Sequence, residues 1–270
     1  MSLFWLRAAL ILYGIGLVDG LASLLSRRTQ LLRVTVPAVA LAAVFHFVAL
    51  VELFSFEHRF VPNASHEVES LLAFCLMLFF LFVYWFYKTS SQAIVVFPLV
   101  FVLTLFATIG QQHVQISAPL LRSGWIFFHI ALILAGYSAL TFSLITSILY
   151  LVQERSLKRK IIGGLSWLPS LDTLDRISSR MLIIGFPFMT VGLILGAVFA
   201  EVEYGSTFLR DPKIMLSLLL WFVYIVLLYT RWSNGWRGRR AAYLSTFAFA
   251  LAITAWAANY VSSVHRFMTP

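Results

Sequence analysis

The sequence predicts an all-α membrane protein, a polytopic bundle of about eight transmembrane helices in a chain of 270 residues. Three observations carry this. The chain is 61% hydrophobic and only 11% charged, with mean hydropathy +0.90, more apolar surface than a water-soluble domain of this size can bury. The apolar residues fall in runs of about 20, enough to cross a bilayer core of about 30 Å at about 1.5 Å per helical residue. Within each run they are continuous, whereas barrel strands would alternate lipid-facing and lumen-facing positions.

The first run, 3–25, has no clear small-residue cleavage site and few N-terminal positive charges, so it reads as a retained span and not a signal peptide. Its Gly14, Gly16 and Gly20 suit close helix packing. The second run, 34–54, carries His46 near its middle, about 18 Å along the helix. An imidazole at that depth is either neutral and hydrogen-bonded to another helix, or a metal or haem ligand. Asp19 and Glu52 lie nearer span ends, within reach of an interface. Runs 68–87 and 93–110 follow, joined by a short turn. Cys75 in the third run is the only cysteine, so neither an internal disulfide nor a cysteine metal cluster is possible.

The fifth run, 125–152, opens on Trp125 and carries His129 one turn later. Its helical pattern continues into QERSLKRK, the start of an inner elbow over 153–180. Gly163-Gly164 breaks the helix, and Ser170 or Asp172 caps a short amphipathic helix built on Leu171, Leu174 and Ile177, expected to lie along the interface. The stretch is either a structural elbow or a docking surface for a cytosolic partner. The sixth run, 181–202, holds Gly192-x-x-x-Gly196, a small-residue spacing for helix contact. An external loop, 203–213, leads into runs 214–230 and 241–260. Short connections make neighbours antiparallel, and one transmembrane bundle over 1–270 is expected.

The net charge of +9 follows topology. With the N-terminus outside, 14 of the 20 basic residues fall on inner loops, which places both termini outside. The basic runs are thereby accounted for without nucleic acid as a partner. No hydrolytic triad, phosphate-binding glycine loop or HExxH is present, so no residue is assigned a catalytic role. His66 is read as a solvated loop residue.

His129 and His265 fall on one membrane face, together with YGSTFLRDPK at 204–213. Two imidazoles flanking an aromatic loop suit a planar, iron-centred ligand, because neutral imidazole is a good axial donor and aromatic rings offer flat apolar area.

These residues resemble a known family, the integral-membrane cytochrome c assembly proteins that handle haem, with CcsA, CcmC and HemX-like branches. The family loop reads Trp-Gly-x-x-Trp-x-Trp-Asp-Pro-Lys. Here Gly205 and Asp211-Pro212-Lys213 match it, while its tryptophans are replaced by Tyr204, Phe208 and Arg210. FHIALILAGYSAL, GFPFMTVGLILGAVFAE, WFVYIVLLYTRWSNGWRGRRAA and SSVHRF resemble the flanking family segments in order. The span after the motif has Tyr229 where haem-translocating members carry a histidine, and His46 matches a membrane-embedded histidine of the HemX-like branch.

The resemblance implies a transiently held b-type haem, with His129 and His265 on the iron. Tyr204, Phe208 and Trp125 would pack at the ring, Arg210 would pair with a propionate, Asp211 would turn the loop into the seventh helix, and His46 would be a further candidate ligand. It further implies presentation of haem to apocytochrome c beside a second membrane assembly subunit, in a bacterial-type cytoplasmic membrane. Such a protein is a haem transporter or chaperone, or part of a haem lyase complex, more than a stand-alone enzyme. A HemX-like accessory role in tetrapyrrole synthesis, or a structural redox-complex subunit without its own haem, are the alternatives.

Overall fold

Among the described residues eight α-helices follow the order of the apolar runs and sort into two units. The structure, a computed structural model, describes residues 2–26, 32–56, 62, 65–110, 124–160, 167–233 and 235–262. The first unit holds α1 (Ser2–Ser26), α2 (Leu32–Phe56), α3 (Ser65–Tyr87) and α4 (Ala93–Ile109). The second holds α5 (Gly124–Lys158), α6 (Leu171–Tyr204), α7 (Pro212–Trp232) and α8 (Arg239–Ala257).

The chain is a polytopic helical membrane protein. Among the described residues six helices are long and apolar enough to cross a membrane by length and composition. The other two differ for local reasons. With 17 residues, α4 spans about 26 Å. α8 opens on Arg239-Arg240 and is rich in Ala, Ser and Thr, which lowers its hydropathy.

In the first unit α1 packs on α2 and α4, and α3 packs on α4. Gly16 allows the approach: a Cβ there would lie 2.7 Å from Val39 Cγ1 and 3.4 Å from Phe97. Asp19 accepts a hydrogen bond from Thr35 on α2. His66 lies in the first turn of α3, not in a loop, and its side chain packs against Gly110.

In the second unit the long pair α5 and α6 lie against each other, with α7 and α8 completing the group. Glycines bring the pair together. A Cβ on Gly136 would meet the Met189 backbone at 3.3 Å, and one on Gly185 would meet Ala139 Cβ at 2.6 Å. Leu140, Leu182, Met189, Leu220, Tyr224, Leu227, Ala248 and Ala252 form the core between them.

The amphipathic helix expected along the interface is corrected here. Ser170 does cap a helix, accepting from the Thr173 N–H at 3.3 Å, but that helix is α6 itself, continuous from Leu171 to Tyr204. Leu174 and Ile177 are fully buried, so protein packing and not a membrane surface takes this face. The expected break at Gly163-Gly164 lies outside the described residues. α5 and α6, of 35 and 34 residues, are each about 50 Å long, some 20 Å more than a bilayer core.

Candidate functional site

The loop 203–213 is built from its backbone outward. α6 ends at Gly205, whose φ of 60° and ψ of −163° form a combination that only glycine adopts without strain. A Cβ there would meet nothing within 4 Å, so backbone conformation and not space requires this glycine. A 3₁₀ turn over Gly205–Arg210 follows, and Asp211 then caps α7 with Pro212 in its first turn. Proline suits that position because its missing N–H would have no partner there.

Asp211 is 3% exposed and uses both carboxylate oxygens. Oδ1 accepts from the Lys213 backbone N–H at 2.9 Å, and Oδ2 accepts from the Ser262 hydroxyl at 2.9 Å. Ser262 is itself buried and stands three residues before His265. The carboxylate therefore joins the motif loop to the chain that leads to the second candidate histidine. As placed, Asp211 positions the loop.

His129 sits in the second turn of α5, against α6. Its Nδ1 lies 2.6 Å from the Gly192 carbonyl oxygen. A carbonyl only accepts, so Nδ1 carries the proton and donates. In the neutral ring Nε2 then bears the lone pair, the form in which histidine ligates a metal. Gly196 completes the seat: any Cβ there would run into the imidazole at Cε1. The Gly192-x-x-x-Gly196 spacing is a packing device, and what it packs is the candidate ligand.

Trp125, one turn before His129, is 64% exposed. Arg210 is exposed and has no acidic partner among the described residues. His265 and the side chains of Tyr204 and Phe208 lie outside the described residues. Tyr229 is exposed on α7, the position of an interface anchor.

His46 belongs to the first unit and is fully buried. Its Nε2 is 2.8 Å from the Ser70 hydroxyl on α3, and its Nδ1 is 3.4 Å from the Tyr13 hydroxyl on α1. Phe74 packs edge-on to the ring. Of the two sequence readings, the placement matches the hydrogen-bonded one, and neither nitrogen is left free.

The far end of the second unit holds a polar cluster that composition did not point to. Arg231 on α7 donates to Asp175 on α6 at 3.3 Å and to the Ser178 hydroxyl at 3.1 Å. Asp175 also accepts from the Gly238 N–H at 3.2 Å. Ser178 in turn is 2.8 Å from Ser143 and 3.1 Å from Ser147 on α5. The pair is nearly buried and braces α5, α6, α7 and the turn into α8. Arg231 had counted only as inner positive charge.

The cytochrome c assembly protein family matches residues 64–264. The chain belongs to that family. The match runs from α3 to beyond Ser262 and takes in His129, the 203–213 loop and the Asp211–Ser262 contact. Relatives in this cytochrome c assembly family include the cytochrome c biogenesis protein CcsA of Heterosigma akashiwo, 31% identical over 232 residues, 72% of each chain. The CcsA protein of Guillardia theta is 33% identical over 209 residues, 69% of each. That of Chlamydomonas reinhardtii is 29% identical over 244 residues, 86% of this chain and 67% of its own.

Proposed function

We propose that this protein acts in cytochrome c biogenesis by holding haem at the outer membrane face and presenting it to apocytochrome c. Family membership and the CcsA relatives support the pathway. The observation that carries the haem reading is the His129 ring, fastened through Nδ1 to Gly192 with Nε2 left as a donor. A partly buried, oriented imidazole whose second nitrogen keeps its lone pair fits iron.

Haem is cargo here, and the thioether chemistry belongs to its vinyl groups and the apocytochrome thiols. The chain's own residues hold and orient it. His129 and His265 supply axial nitrogens. Trp125, Tyr204 and Phe208 supply aromatic area at the ring. Arg210, exposed and unpaired among the described residues, suits a propionate, which a guanidinium binds through two hydrogen bonds. Asp211 keeps the loop and the approach to His265 together. His46 is assigned to packing in the first unit. The excess of basic residues on alternate loops supports termini on the outer side of a bacterial-type cytoplasmic membrane. A second membrane assembly subunit is the expected neighbour of the loop, and 153–180 is the candidate surface for a cytosolic partner.

The test is an absorption spectrum of the detergent-purified protein, oxidised and reduced, beside the His129→Ala/His265→Ala double variant. A haem spectrum in the parent that disappears in the double variant, and returns in part with added imidazole, is the expected result. Equal haem content in both would remove the ligand assignment. The absence of all three motif tryptophans favours a second reading, a HemX-like accessory role in tetrapyrrole synthesis. That role predicts no haem in the parent and a soluble partner lost on deleting 153–180.

A further inference from the structure

The first unit carries a groove that the haem reading does not use. It has a volume of about 340 Å³ and is lined by Trp5, Phe47, Val48, Val51, Glu52 and Ser55. Trp5 belongs to α1 and the rest to α2. Glu52 is half-buried, and its Oε2 is shielded from solvent without a hydrogen-bond partner among the described residues. An ionised carboxylate oxygen in that position is costly unless something donates to it. Among the described residues no basic side chain lines the groove.

The register of α2 sorts the lining by chemistry. Glu52 and Ser55 are three residues apart and share a helix face, so both line the same end of the groove. Both fall in the last turns of α2, which ends at Phe56; Glu52 is about 6 Å from that end. A lipid headgroup sits at this depth. Phe47 and Val48 lie about a turn deeper than Glu52, Val51 stands beside it, and Phe47 and Val51 are 54% and 46% exposed on the helix flank. The groove is therefore acidic at headgroup level and apolar beneath. Residues 47–55 span only about 12 Å, too short a seat for a neighbouring transmembrane helix.

We propose that this groove binds an amine-headed membrane lipid. The primary ammonium donates to the Glu52 carboxylate and to the Ser55 hydroxyl, and the first methylenes of an acyl chain lie along Phe47, Val48 and Val51. Trp5 forms the opposite wall. A primary ammonium has three N–H donors and a compact positive charge, which this acceptor pair matches. An anionic headgroup would meet Glu52 with like charge.

The experiment uses the full chain, purified in detergent and stripped of lipid. It is titrated with dioleoylphosphatidylethanolamine or dioleoylphosphatidylglycerol, and bound lipid is counted by native mass spectrometry. The phosphatidylethanolamine is expected to bind at least about tenfold more tightly, the return of one charge-assisted hydrogen bond. Glu52→Gln should erase that preference at unchanged helix content, and Ser55→Ala should reduce it. Equal binding of the two lipids, a preference that survives in Glu52→Gln, or a polypeptide in the groove that phosphatidylethanolamine does not displace would each overturn the assignment. None of these readouts involves haem.

Discussion

Asp211 and Ser262 meet at 2.9 Å across 51 residues of sequence, carboxylate to hydroxyl, with both side chains buried. Through this contact the N-cap of α7 also anchors the chain just before His265. Asp211→Ala removes a cap worth about 0.5–2 kcal/mol and leaves the Ser262 hydroxyl without its acceptor. The expected result is a lower unfolding midpoint in detergent and weaker haem retention in the Soret band. Ser262→Ala should lose less, because the α7 cap survives. The two losses should not add, with a coupling of about 0.5 kcal/mol or more.

Gly192 and Gly196 should respond differently to alanine. At Gly196 a methyl would enter the space of the His129 ring, and at Gly192 it would meet Ile133 instead, Cδ1 at 2.9 Å and the backbone nitrogen at 3.2 Å. Overpacking of this kind costs about 1–3 kcal/mol. Gly196→Ala should therefore displace the imidazole and reduce bound haem sharply. Gly192→Ala keeps the carbonyl that accepts from Nδ1 and should retain most of it. Haem content per polypeptide measures the contrast, and the reverse order would remove Gly196 from the seat of His129.

Asp175 and Arg231 should behave as a buried ion pair, with side chains 15% and 8% exposed. Asp175→Ala strands the guanidinium in the second unit and should cost about 3–5 kcal/mol. Replacing both residues by leucine should recover much of that loss, since a well-packed apolar pair avoids the desolvation of two charges. Thermal unfolding of the two variants in one detergent decides the matter.

His46 should matter to stability and not to haem. Ser70→Ala takes away the partner 2.8 Å from Nε2 and leaves a buried polar atom unsatisfied, a cost of about 1–3 kcal/mol. The expected outcome is a lower unfolding midpoint with haem per polypeptide unchanged. A fall in haem content in correctly folded Ser70→Ala would return His46 to the list of ligands.

The helices were legible because continuous apolar character acts locally: any run long enough to cross a bilayer must satisfy its own backbone, and helix is how it does so. The Asp-Pro entry to α7 was legible for a similar reason, as it depends on its own backbone conformation. The N-cap at Ser170 was also visible. That its helix runs on to Tyr204 was not, because Leu174 and Ile177 are apolar enough to face either a membrane surface or a protein core, and periodicity cannot choose between them.

Contacts between helices were beyond the linear pattern. A Gly-x-x-x-Gly spacing announces close approach without naming its partner, and only the packing of α5 on α6 brings the Gly192 carbonyl to His129 and selects the ring nitrogen that stays free. Asp211 could be seen as a cap, but Ser262 had no local signal. Arg231 counted as inner positive charge until folding set Asp175 beside it. Local backbone chemistry depends on neighbours in the chain, whereas the direction of a hydrogen bond between helices depends on their rotation and depth, and many residues together determine those.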